Sequence, residues 1–150
     1  MAKSMKGRFY HNIDAKGRLI IPAKLRDSIG TEFVITVGID KCLSIYSEDE
    51  WEEFTERLDE SLRNSKENAR KIKRHFRANA IDCEMDSQGR AVISPELRAY
   101  AGIKKEVVII GNGDKAEIWD RETYENEEMA SEELSRENIS NMLEEMDIDF

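Results

Sequence analysis

The chain predicts an α+β fold made from two copies of one small hairpin unit, and three observations lead there. The stretch Asp14-Ala15-Lys16-Gly17-Arg18-Leu19-Ile20-Ile21-Pro22-Ala23-Lys24-Leu25-Arg26 returns seventy-two positions later as Asp86-Ser87-Gln88-Gly89-Arg90-Ala91-Val92-Ile93-Ser94-Pro95-Glu96-Leu97-Arg98, without a gap. Short apolar runs with period-two alternation flank both copies, and glycine and proline punctuate them, as strands joined by tight turns require. The stretch between the copies has helical spacing instead. A unit of about 45 residues buries too little surface to be stable alone. The two copies are therefore expected to interleave into one pseudo-symmetric β-barrel body rather than stand as two beads. The boundaries that follow are a first repeat at 7–53, a helical connector at 54–78, a second repeat at 79–124 and an acidic C-terminal tail at 125–150.

In order, Gly7–Asp14 reads as a strand with Phe9, His11 and Ile13 on one side. Ala15-Lys16-Gly17 is a tight reversal in which Gly17 supplies a positive φ. Arg18–Ile21 is the return strand. Asp14 and Arg18 flank the turn, close enough to pair or for Asp14 to accept turn amides. Pro22 suits the first turn of a short helix, 22–29, ended by Gly30. Strands follow at Glu32–Val37 and Leu43–Tyr46. Ser47 with Glu50 reads as a capping box, opening a helix whose buried stripe is Trp51, Phe54 and Leu58. Asn64-Ser65 is expected to break it before a basic helix from Lys66 to Ala78.

The second copy repeats the plan: strand Ala80–Asp86, reversal Ser87–Gly89, return Arg90–Ile93. Its helix starts better, with Ser94 at N-cap and Pro95 at N1, and ends at Gly102. Val107–Ile110 matches Phe33–Thr36, and Ile118-Trp119 matches Ile45-Tyr46. Asp120 caps a last helix that includes Tyr124. Trp51, Phe54, Trp119 and Tyr124 read as core or interface, in matching places after the final strand of each unit. Beyond them, Met129, Leu134, Ile139, Met142, Leu143 and Met146 recur at loosely helical spacing in an acidic tail, which could dock as a helix or lie loose.

Net charge is −9, with 23 Lys and Arg against 32 Asp and Glu. The distribution matters more than the sum. Residues 1–26 hold seven bases against Asp14 alone, and residues 63–77 hold seven against Glu67. Residues 27–62 hold eleven acids against two bases, and residues 114–150 fourteen against three. Fields act over a Debye length of about 8 Å at physiological salt, so a basic patch attracts an anion on an acidic molecule. No apolar run reaches the roughly 18 residues of a membrane span, and the N-terminus leads into no signal-peptide core. Cys42 and Cys83 have no metal-ligand or CxxC spacing and read as reduced thiols of a cytoplasmic protein. There is no Gly-rich phosphate loop, no nucleophile elbow and no metal-spaced His/Cys set, so neither an enzyme, a cofactor nor a metal is expected.

The doubled Asp-x-x-Gly-Arg turn followed by Leu-Arg resembles the bacterial MraZ family. Glu106-Val107-Val108-Ile109-Ile110-Gly111 and Ile118-Trp119-Asp120 are also similar to it, and the likeness runs from about Gly7 to Tyr124. The resemblance implies an AbrB-like swapped-hairpin fold doubled within the chain. It implies a repressor that binds double-stranded DNA at short tandem repeats in the promoter of a cell-division and cell-wall gene cluster, its own gene included. It implies ring-shaped homo-oligomers, nucleoid association, and DNA contact by Asp14, Arg18, Asp86 and Arg90. No membrane and no small-molecule substrate is expected as partner.

Read from the residues, Arg18 is the leading candidate, because a two-stranded ribbon can enter a major groove. The competing reading is an exposed ion pair with Asp14, worth about 0–1 kcal/mol. Lys16 at the turn tip suits a phosphate, and Arg8, Lys24 and Arg26, with Lys3 and Lys6, form the supporting patch. Copy two has Gln88 for Lys16 and Pro95-Glu96 for Ala23-Lys24, so it is the poorer phosphate binder. The basic run Arg70–Arg77 reads first as a solvated face opposite the acidic helix and second as a DNA contact. An antitoxin-like protein-binding module, whose acidic tail covers a basic target, is the alternative function.

Overall fold

The computed structural model describes residues 4–61, 67–129 and 132–149. The elements of the first repeat are β1 (Arg8–Asn12), β2 (Arg18–Ile20), α1 (Ala23–Ile29), β3 (Glu32–Val37) and β4 (Leu43–Ser47). Next come α2 (Glu48–Ser61), which starts inside the stretch 7–53 assigned to the first repeat, and α3 (Glu67–Ala78). The second repeat follows as β5 (Ile81–Glu84), β6 (Arg90–Val92), α4 (Pro95–Ala101), β7 (Glu106–Asn112) and β8 (Lys115–Asp120). Then come α5 (Arg121–Thr123), a π-helical segment Tyr124–Met129, a 3₁₀ turn Glu132–Leu134 and α6 (Arg136–Glu145).

The repeats interleave. Among the described residues a six-stranded antiparallel sheet runs β1-β7-β8-β4-β3-β5, and β2 pairs with β6 in a separate ribbon. β1 thus leaves its own repeat to pair with β7, Phe9 opposite Ile109 and His11 opposite Val107. Reciprocally, β5 pairs with β3, Cys83 opposite Phe33. The repeats meet at β4–β8, where Leu43 faces Ile118 and Ile45 faces Ala116. Each hairpin opens after its turn because its two strands take different partners. The sheet as described ends at β1 and β5.

Alternation builds the core. Phe33, Ile35, Leu43, Ile45, Val107, Ile109 and Ile118 share one buried cluster with Leu19 and Ala91 of the ribbon and Leu25, Ile29 and Leu97 of α1 and α4. On the opposite face Val108 and Trp119 are buried with Cys42, and Tyr124 packs against them. Tyr46–Trp51 at 5.9 Å and Trp119–Tyr124 at 5.7 Å are the same aromatic pair in each repeat. Trp119 accordingly lies within β8, matching Tyr46, and not after the strand as the sequence suggested.

Other differences are local. Pro22 stands at the N-cap of α1 rather than inside it, at φ −54° and ψ 133°. Ser47 does cap α2, accepting the Glu50 amide at 3.2 Å, but none of the residues of α2 is fully buried. Its stripe is only partly covered, with Phe54 stacked on Tyr46 and set edge-to-face on Phe76 of α3. The expected break at Asn64-Ser65 lies outside the described residues. Among its described residues the tail carries a helix: Ser135 accepts the Asn138 amide at 3.2 Å and starts α6. No helix among the described residues is long and apolar enough to cross a membrane.

Candidate nucleic-acid interface

The two turns are built alike. Asp14 Oδ1 accepts the amides of Lys16 and Arg18, both at 2.9 Å, and Oδ2 accepts Arg18 Nε at 2.6 Å. Asp86 does the same for Gln88, Arg90 and Arg90 Nε, at 2.9, 2.8 and 2.9 Å. Each aspartate therefore holds its own turn through one oxygen and its arginine side chain through the other. These bonds to the ionised form, the Arg18 and Arg90 amides first, hold both carboxyls below the usual aspartate range. Gly17 and Gly89 close the turns at φ 80° and 76°. Only glycine enters that region without strain.

Beyond the turns, β2 and β6 run side by side with Arg18 opposite Val92, Leu19 opposite Ala91 and Ile20 opposite Arg90. Leu19 and Ala91 point into the core, so the four flanking side chains share the outer face. Arg18 and Arg90 are diagonal neighbours on that face, about 7–8 Å apart. Between them lie Ile20 and Val92, 42% and 59% exposed. Both ion pairs engage Nε only, so the Nη groups of both forks take no partner among the described residues. A ribbon with two outward guanidinium forks and an apolar strip can contact phosphates and base edges together. The sequence placed the arginines in separate turns; interleaving brings them onto one surface.

Beneath each turn lies an arginine from the other repeat. The Arg26 guanidinium packs against Gly89 so closely that a Cβ there would overlap it, while Arg26 Nε donates to Ile21 O at 2.8 Å. Arg98 lies under Gly17, where a Cβ would stand 3.2 Å from its Cζ and 2.8 Å from Ile93 O. Backbone bonds cross in the same sense: Ile21 N to Gly89 O and Ile93 N to Gly17 O, both 2.8 Å. Arg26, counted from sequence in the basic patch, is thus partly buried under the opposite turn. Arg98 was missed; its signal was that it aligns with Arg26.

The other candidates scatter. Lys16 is exposed at the first turn tip, and Lys24 is exposed on the first turn of α1. Arg8 is exposed at the far end of β1, six residues and about 20 Å of strand from Asp14. Lys6 is exposed beyond it, and Lys3 lies outside the described residues. On the basic helix α3, Arg77 makes a bidentate pair with Asp59 of α2 at 3.0 and 2.9 Å, and Lys71 pairs with Glu67 at 3.2 Å. The Arg77–Asp59 pair joins the basic helix to the acidic one as charge suggested, whereas Lys71 and Glu67 both lie on α3. Among the described residues no group of three or more His, Cys, Asp and Glu could hold a metal ion.

The family model described as "MraZ protein, putative antitoxin-like" matches residues 5–75 and again 76–147. The chain belongs to the MraZ family. Among MraZ relatives, the "Transcriptional regulator MraZ" of Lachnoclostridium phytofermentans is 49% identical over 120 residues, 80% of this chain and 84% of that one. Its namesake in Caldanaerobacter subterraneus subsp. tengcongensis is 44% identical over 144 residues, 96% of this chain and 99% of the relative. That of Desulforamulus reducens is 42% identical over 140 residues, 91% and 98% of the two chains. The second MraZ match runs past Tyr124 into α6, beyond the point where the internal repeat ends.

Proposed function

We propose that this protein is a sequence-specific DNA-binding transcriptional regulator, not an enzyme, which represses a cell-division and cell-wall gene cluster, its own gene included, from short tandem repeats in the promoter. The observation that carries this is the β2–β6 ribbon, with Arg18 and Arg90 diagonal neighbours on one face and their Nη groups without a partner among the described residues. The names of the relatives support the regulatory role. In this reading the sheet and ribbon act as one barrel-like, AbrB-type body that carries the ribbon into a major groove. Arg18 and Arg90 contact bases or phosphates, Asp14 and Asp86 orient them, and Lys16 and Lys24 add phosphate contacts on the first side. Arg8 is remote from this surface and makes at most a phosphate contact. Ring-shaped homo-oligomers present several ribbons to one DNA, and each later contact gains from effective concentration. The protein works at the nucleoid, in the cytoplasm.

A mobility shift on the DNA upstream of its own coding sequence tests this. Arg18→Ala and Arg90→Ala should each weaken binding by about 1–3 kcal/mol, and affinity should fall steeply with salt. Full binding by both variants, or binding flat from low to high salt, overturns the ribbon as interface.

A second reading, an antitoxin-like module that binds protein, is favoured by one observation. The acidic tail leaves Leu134, Ile139, Met146 and Ile148 48, 40, 66 and 51% exposed. Removing residues 125–150 separates the two: DNA binding survives or strengthens in the first reading, while a partner is lost in the second.

A further inference from the structure

We propose that Arg26 and Arg98 are positioning residues, each setting the conformation of the turn that belongs to the opposite repeat. This rests on the reading of the ribbon as the DNA interface. Arg98 of the second repeat lies against Gly17 and so governs Arg18; Arg26 of the first lies against Gly89 and so governs Arg90. At Gly89 the Arg26 guanidinium fills the space a side chain would take; at Gly17 the Ile93 carbonyl oxygen fills it at 2.8 Å, with the Arg98 guanidinium packed beside it at 3.2 Å, so each turn requires glycine for room as well as for φ. The crossing backbone bonds, Ile93 N to Gly17 O and Ile21 N to Gly89 O, carry the same linkage. The two sides are unequal. Arg26 is anchored through Nε to Ile21 O, whereas Arg98 Nε is buried with no hydrogen-bond partner among the described residues. A buried donor left unsatisfied disfavours arginine as a mere filler. The planar guanidinium under the turn explains its presence. The pairing makes the spacing and tilt of Arg18 and Arg90 a joint property of both repeats.

The test is a crossed set of double variants on the same upstream DNA. Arg98→Met should weaken binding about tenfold, by analogy with the residues that orient metal ligands. In the Arg18→Ala background it should add nothing, and in the Arg90→Ala background it should keep its full effect. Arg26→Met should show the reverse. A simple loss of stability would act alike in both backgrounds, and that result overturns the proposal. A drop of about one in the salt slope for Arg26→Met would overturn it too, because that marks a direct phosphate contact. Where a Met variant fails to show a cooperative melt, Arg98→Lys and Arg26→Lys replace it. They keep charge without the planar fork and should reproduce the crossed pattern; wild-type affinity from them refutes the packing argument. If neither Arg18→Ala nor Arg90→Ala weakens DNA binding, the interface reading fails, and the bracing is judged without DNA. Arg98→Met should then move the Gly17 amide resonance and leave that of Gly89; movement of both, or of neither, refutes it.

Discussion

At the scale of single residues, Asp14 and Asp86 carry a role that composition hides. Each spends one oxygen on two turn amides and the other on its arginine, so neither is a spare negative charge beside a DNA site. The sign of the pH dependence follows from their depressed pKa values. A carboxylate whose pKa is lowered by folding stabilises fully above its unfolded value, the ordinary aspartate 3.8, and loses that contribution as pH falls through the folded value. Between pH 5 and 8 the turns should therefore be unaffected by pH, and below about pH 3.8 they should loosen, read from the Lys16 and Gln88 amide resonances. Asp14→Asn should lower DNA affinity at neutral pH, because the amide oxygen keeps the turn bonds while the NH2 that replaces Oδ2 is a donor and cannot accept from Arg18 Nε. Burial pushes the Cys83 thiol up to about 11, so it is protonated at pH 8 and should alkylate far more slowly than free cysteine.

At the scale of elements, the glycines and caps separate what is local from what is not. Gly89 and Gly113 have nearly the same φ, 76° and 75°, but only Gly89 has a neighbour, Arg26, in the way of a side chain. Gly113→Ala should cost about 1 kcal/mol of strain, and Gly89→Ala more, by denaturant unfolding. Ser94 caps α4 through the Leu97 amide at 3.3 Å, and Ser94→Ala should cost about 1 kcal/mol. α1 has no such side-chain cap at Pro22. Local chemistry of this kind was open to inspection: Gly17, Gly89, Ser94-Pro95, Ser47 and Asp120 all act where their spacing puts them. Burial of the α2 stripe was not, because the helical period tells which face is apolar and not how much of it another element covers.

At the scale of the whole molecule, the repeats complete one sheet. Because β1 pairs with β7 and β5 with β3, chains 1–78 and 79–150 should each fail to fold alone, and mixing them should restore circular dichroism and a cooperative melt. Two fragments that each fold on their own would contradict the interleaving. The ribbon is also a whole-molecule product, since one strand comes from each repeat. A net charge of −9 hides it, while in the other basic run Arg77 pairs with Asp59 of the acidic helix.

The amino-acid order alone was enough for the repeat, the two Asp-Gly-Arg turns, most element boundaries and the helical connector, because these depend on neighbours a few positions apart. It could not say which strand pairs with which, that Arg18 and Arg90 share one face, or that Arg26 and Arg98 lie beneath each other's turns. Those relations join residues about fifty to a hundred positions apart. Strand alternation selects a face but not a partner, and the choice of partner rests on how two half-sized cores cover one another.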